Sequence, residues 1–98
     1  MNRCALSGQL IERGQLRYTP AGIPVIEFRV GHVSEQQEAG NPRRVECEMP
    51  CVAVGPSALM LKTADPGMAL ELEGFLAARS LKQKSVVLHV THIEFTEN

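Results

Sequence analysis

Gly22-Ile23-Pro24-Val25-Ile26-Glu27-Phe28-Arg29-Val30-Gly31-His32 carries the pattern from which the rest of the chain is read. From Ile26 onward apolar and polar residues alternate, with Ile26, Phe28 and Val30 on one parity and Glu27 and Arg29 on the other. That period of two is the signature of a strand buried on one face. Pro24 has no amide hydrogen, so it belongs at the strand's beginning or on an edge. The turn residues Thr19-Pro20-Ala21-Gly22 lead in, and the strand is expected to run through His32 to Ser34.

Upstream, Cys4 to Leu10 alternates as a short first strand, with Gly8 allowing a close backbone approach or a bend. Ile11 to Tyr18 lacks periodicity and reads as a turn. Downstream, the polar stretch Glu35 to Pro42 ends in Gly-Asn-Pro and reads as an exposed, mobile hairpin loop. Arg43 to Val54 is the next strand, where an apparent phase switch at Pro50 predicts a bulge. Ala58 to Thr63 suffices for one helical turn capped by Ser57, and Ala64-Asp65-Pro66-Gly67 is a turn. Met68 to Ala78 alternates cleanly, Arg79 to Ser85 is a basic hairpin loop, and Val86 to Phe95 is the last strand. In that strand the apolar parity shifts between Val90 and Ile93, predicting a bulge near Thr91 or His92. Five bent strands with almost no helix describe a small closed antiparallel barrel, for which the five-stranded Greek-key OB-fold with long hairpin loops is the leading solution and an SH3-like barrel the alternative.

The 98 residues fit one domain, and 44% hydrophobic with 21% charged residues is an ordinary globular balance. No apolar run approaches the ~20 residues needed to cross a bilayer, and the N-terminus lacks a signal-peptide core. A cytoplasmic protein without membrane association is expected. The three cysteines, Cys4, Cys47 and Cys51, fall at strand-like apolar positions and read as reduced core residues. A net charge of −1 means that any phosphate-binding surface must be a local patch.

Chemistry is sparse. His89 and His92 differ in parity, and Cys47 with Cys51 lacks knuckle spacing, so neither a metal site nor a cofactor is expected. His32 reads as a hydrogen-bonded rim histidine. Glu46 with Glu48, and Glu71 with Glu73, are same-face carboxylates of solvated strands and not a catalytic pair, so no catalytic residue is assigned and an enzyme is not expected. Positive charge is better organised: Arg17 precedes the central strand, Arg43 and Arg44 follow the long loop, and Arg79, Lys82 and Lys84 fill the last hairpin. In an OB barrel such loops flank the face that contacts oligonucleotides.

Leu6-Ser7-Gly8, Gly22-Ile23-Pro24, Phe28, His32, Gln37-Glu38-Ala39-Gly40, Cys47-Glu48-Met49-Pro50, Gly74-Phe75-Leu76 and Val87-Leu88-His89 together resemble the primosomal replication protein N family of bacterial replication-restart factors. The resemblance covers nearly the whole chain. It implies an OB-fold homodimer without enzymatic activity that bridges single-stranded DNA, a restart helicase and a primosome loading factor. By position it assigns DNA contact to Arg17, Arg43 and the Arg79, Lys82 and Lys84 hairpin, with Arg44 beside them. It places a dimer edge on Cys4, Ala5, Leu6, Ser7 and Gln9. Where family members can carry stacking aromatics this chain has Asn41 and Glu46, and it has no tryptophan. Modest, salt-sensitive, sequence-tolerant binding to single strands is therefore expected, resting on the loops more than on the sheet face.

Overall fold

The computed structural model describes residues 1–96. Its elements are β1 (Cys4–Arg13), β2 (Arg17–Tyr18), β3 (Pro24–Glu38), β4 (Asn41–Val54), α1 (Pro56–Leu61), β5 (Ala69–Ala78) and β6 (Val86–Phe95). The strands lie in the order β1-β5-β6-β4-β3-β2, and β1 also pairs with β3. That additional pairing closes the five long strands into an OB-fold barrel, with the two-residue β2 added outside β3.

Closure depends on two bends. In β1 the partners step from Leu10↔Val30 to Glu12↔Arg29, leaving Ile11 as the extra residue where the strand passes from β5 to β3. Strand one therefore runs three residues beyond Leu10, because the bulge absorbs the break in alternation that reads as a turn. In β6 the partners step from Glu73↔His92 to Gly74↔Val90, so Thr91 is the bulged residue, as its parity shift predicts. The Thr91 hydroxyl donates to the Glu73 carbonyl at 3.1 Å and fixes the bulge. Both bends require close packing of backbones: a Cβ on Gly8 would collide with the Gly31 carbonyl, and one on Gly74 with that of His89.

Ile26, Phe28 and Val30 are buried as the alternation of β3 requires, together with Leu10, Cys51, Ala53, Leu70, Leu72, Leu88, Val90 and Ile93. Pro24 is the first residue of β3. The helix closes one end of the barrel by burying Ala58 and Leu61. Its N-cap is Gly55 and no side chain caps it, so Ser57 does not have the capping role expected of it.

Three further expectations are corrected. Glu35 to Pro42 is no loop: β3 and β4 pair without interruption from Val25↔Val54 to Glu38↔Asn41, joined by the two-residue turn Ala39-Gly40. Both turn residues have positive φ, 53° and 80°, the arrangement whose twist matches an antiparallel ribbon. Polar composition here marks a ribbon solvated on both faces. No bulge occurs at Pro50, which pairs with Arg29 within that unbroken ladder. The buried parity simply continues through Cys51 and Ala53, while Val52 and Val54 are outward residues. Finally, Cys47 is exposed and Cys4 only half-buried, so Cys51 alone is a core thiol. Cys47 lies on the ribbon, where inward parity no longer meets a core.

Candidate nucleic-acid interface

Two separate groups of cations result from this fold. Arg43 and Arg44 stand on β4 near the ribbon's tip, and each is held by a carboxylate: Arg43 by Glu38 at 3.0 Å and Arg44 by Glu46 at 2.7 Å. At the barrel, β2 sets Arg17 opposite Val25, and the β5–β6 hairpin carries Arg79, Lys82 and Lys84. That hairpin is ordered by its own backbone: Arg79 N–H donates to the Ser85 carbonyl at 2.9 Å and Ser80 N–H to that of Gln83 at 3.0 Å. Arg79 reaches Glu27 at 3.8 Å, across the outer surface of β4. Arg17, Lys82 and Lys84 form no ion pair among the described residues.

Distance separates the groups further. Glu27, which Arg79 meets, pairs with Val52, eight residues along β4 from Arg44. At the rise of a strand this is about 27 Å. The six sequence-assigned cations thus divide into a ribbon pair held by carboxylates and four on the barrel, of which Arg79 also meets a carboxylate and Arg17, Lys82 and Lys84 do not. Glu48, which could repel phosphate, is engaged by Arg29 at 3.2 Å.

The outer surface of β4, β6 and β5 beside the barrel group is apolar. Glu27, Val52, His89 and Phe75 form one cross-strand row on it. Phe75 stacks on His89 with centroids 5.1 Å apart and planes 6° from parallel. Val54, two residues along β4 from Val52, is also exposed. The sequence reading of binding residues passed over both Phe75 and Tyr18, which is 61% exposed next to Arg17. Outward parity marks Phe75 in the sequence, but its stack on His89 depends on the Gly74–Val90 register.

The same bulge alters the histidine geometry. His89 and His92 lie opposite Phe75 and Glu73, both outward residues of β5, so the two imidazoles share the outer face despite their unequal parity in sequence. His32 is satisfied as expected: Nδ1–H donates to the Ser7 carbonyl at 2.6 Å, and Nε2 accepts from the Ser34 hydroxyl at 2.8 Å. Gln36 in turn donates to Ser34 Oγ at 3.1 Å. The Cys51 thiol is pushed up to about 12, first by burial and second by neighbouring Cys4, which suits a packing role and not a reactive one.

The expected dimer edge occupies β1. Cys4 to Gln9 pairs with β5 on one side, whereas pairing with β3 begins only at Gln9. Cys4, Ala5, Leu6 and Ser7 therefore keep one backbone edge without a strand partner among the described residues, bridged only where His32 meets Ser7.

Residues 2–92 match the model of a family described as another single-strand binding protein family. The replication restart protein PriB of Bordetella pertussis is 42% identical over 90 residues, covering 92% of this chain and 84% of that one. A solved structure of PriB from Ralstonia solanacearum superimposes with a TM-score of 0.88 at 34% identity, over 99% of both chains. The single-stranded DNA binding protein of Thermus aquaticus shares the fold, with a TM-score of 0.78 at 24% identity, this chain spanning half of that one.

Proposed function

The chain belongs to the single-strand-binding family that includes the replication restart proteins PriB, a family of binding proteins and not of enzymes, and from that premise we propose that it is a DNA-binding accessory factor of replication restart. It takes single-stranded DNA at the barrel group of cations, stabilises a restart helicase on that DNA, and aids entry of a later loading factor. The observation that carries this reading is the basic hairpin of Arg79, Lys82 and Lys84, which continues from the strand whose Phe75 lies exposed on an apolar outer surface. Cations beside a surface that accepts bases are what a sequence-tolerant single-strand site requires. The acidic remainder of the barrel, Glu71, Glu73 and Glu94 on β5 and β6, repels phosphate and restricts the DNA path to the basic side.

The factor acts as a cytoplasmic homodimer built on one OB domain per protomer, with the open β1 edge of Cys4 to Ser7 pairing across a two-fold axis. Sedimentation at micromolar concentration is expected to give twice the chain mass; a single monomeric species removes this part of the reading.

Titration of labelled oligothymidine and of a duplex at low and moderate salt tests the DNA role. Single-strand binding that weakens with salt, and clearly exceeds duplex binding, is expected. Equal affinity for the two, or none for either, defeats it. A second reading is favoured by Glu71, Glu73 and Glu94 and by the missing tryptophan: an adaptor that stimulates a helicase with little DNA contact of its own. Lys82→Glu with Lys84→Glu separates the readings, because an adaptor keeps helicase stimulation after oligonucleotide binding is lost.

A further inference from the structure

Of the four aromatic residues, Phe28 is buried and Phe95 packs against the core. Tyr18 and Phe75 remain exposed, at 61% and 41%. Single-strand binding that tolerates any sequence depends on stacking, because every base has a π face whereas its hydrogen-bonding edge differs. With so few aromatics in reach of solvent, a stacking platform must involve one of these two rings.

We propose that the Phe75–His89 ring pair is a nucleobase-stacking platform, with the base lying on the outer surface of β4, β6 and β5 and its backbone following Arg79, Lys82 and Lys84. This rests on the single-strand reading above and assigns the base subsite within it. Four observations converge here. The rings stand 5.1 Å apart and 6° from parallel, so they already form a stacked pair to which a further π surface can be added. They line a concavity of about 330 Å³ whose other walls include Val52, Val54 and Pro56, which is apolar room for a planar ring. His89 makes no hydrogen bond through either ring nitrogen among the described residues, leaving polar groups for a base edge or its water.

The fourth observation is charge. Phe75 and Ala77 share one face of β5, and Arg79 follows directly on its last residue, so the first cation of the basic hairpin stands about 13 Å along the chain from the ring. Arg79 extends over β4 to Glu27, a member of the same cross-strand row as Val52, His89 and Phe75. An anionic backbone drawn to Arg79 thus passes beside the ring pair. A neutral apolar segment of a protein partner would gain nothing from these cations, which is why the nucleic acid is the occupant the surface favours.

Phe75→Leu in the full chain preserves apolar bulk and removes the ring. Its affinity for oligothymidine is expected to fall between about 5- and 160-fold, the range of one lost base stack. Its salt slope should remain that of the unaltered protein, since no phosphate contact is removed. Quenching of 2-aminopurine in a bound oligonucleotide should weaken in parallel. In the unaltered protein, ultraviolet crosslinking to an iodouracil oligonucleotide should label the tryptic peptide 63–79, and this arm holds even if the substituted chain fails to fold. A Phe75→Leu variant that binds within twofold of the unaltered protein, or crosslinks found in neither peptide 63–79 nor the His89 peptide 85–98, overturns the platform while the DNA role stands. Unchanged DNA affinity with lost helicase stimulation assigns the surface to a protein partner and overturns it as well. If the unaltered protein binds no single strand, the DNA role itself fails and the platform with it.

Discussion

Lys82 and Lys84 are two residues apart in a hairpin whose backbone is fixed at both ends, and no carboxylate among the described residues holds them. Arg43 and Arg44 differ only in surroundings, each being held by a neighbouring glutamate. Exposed pairs of this kind contribute little to stability, about 0 to 1 kcal/mol, but an occupied guanidinium must leave its carboxylate before it meets a phosphate. Removing Lys82 and Lys84 together is therefore expected to weaken oligonucleotide binding more than removing Arg43 and Arg44 together, as anisotropy titration of the two double-alanine variants would measure. Equal losses would mean that the ribbon shares the DNA path.

Cys51 supplies a pH dependence whose sign follows from its burial. Its thiol titrates at about 12 in the folded chain against an ordinary 9.0, so between these values the unfolded chain has lost a proton that the folded chain keeps. Stability is thus complete below pH 9 and declines as pH rises from about 9 to 12. Denaturant melts along this range should show the decline, and Cys51→Ala should flatten it. In native protein, Cys47 should react with a thiol reagent well before Cys51, which reacts only on opening.

Among the elements, the β3–β4 ribbon and the β5–β6 hairpin show how far each local pattern could be read. The alternation of Ile26, Phe28 and Val30 locates β3 and its inward face because a core presses on that face. Past His32 the ribbon leaves the barrel, both faces meet water, and Glu35 to Pro42 has no apolar period to betray its strands. The turn is hidden as well, since Ala39 holds φ 53° where asparagine or glycine is the usual signal. Ala39→Asn is therefore expected to stabilise the protein by about 0.5–1 kcal/mol, read as a melting temperature a few degrees higher. An unchanged or lower value would contradict the turn assignment.

Gly74 is the opposite case, a small residue where packing is tightest. Gly74→Ala should destabilise by about 2 kcal/mol or more, because its methyl would enter the His89 carbonyl at the bulge and force β5 from β6. Thermal melts of the variant measure this. A loss below about 0.5 kcal/mol would show that the bulge relaxes without cost.

For the whole molecule, barrel class, the five long strands and the bulge at Thr91 were legible, since each follows from apolar parity imposed by a common core, whereas the two-residue β2 lies in the stretch that reads as a turn. The basic hairpin was legible as a charge cluster. Its neighbours on the folded surface were not, because Val52, His89 and Phe75 meet only through the β4–β6 and β5–β6 registers, which separate residues decide. The pairing of Arg43 with Glu38 was hidden because Glu35 to Pro42 reads as a loop, whereas Arg44 and Glu46 are two residues apart on one face of β4. What emerges is a small barrel of net charge −1 whose last hairpin carries two lysines that no carboxylate among the described residues holds.

That arrangement is tested most directly by the salt dependence of oligothymidine binding. Each phosphate neutralised on a single strand contributes about −0.7 to the slope of log K against log salt, so four barrel cations imply a slope near −3 per protomer. Lys82→Ala with Lys84→Ala should reduce its magnitude by about 1.4. A slope near zero, or one that these two substitutions leave unchanged, would contradict a single-strand site built on the basic hairpin.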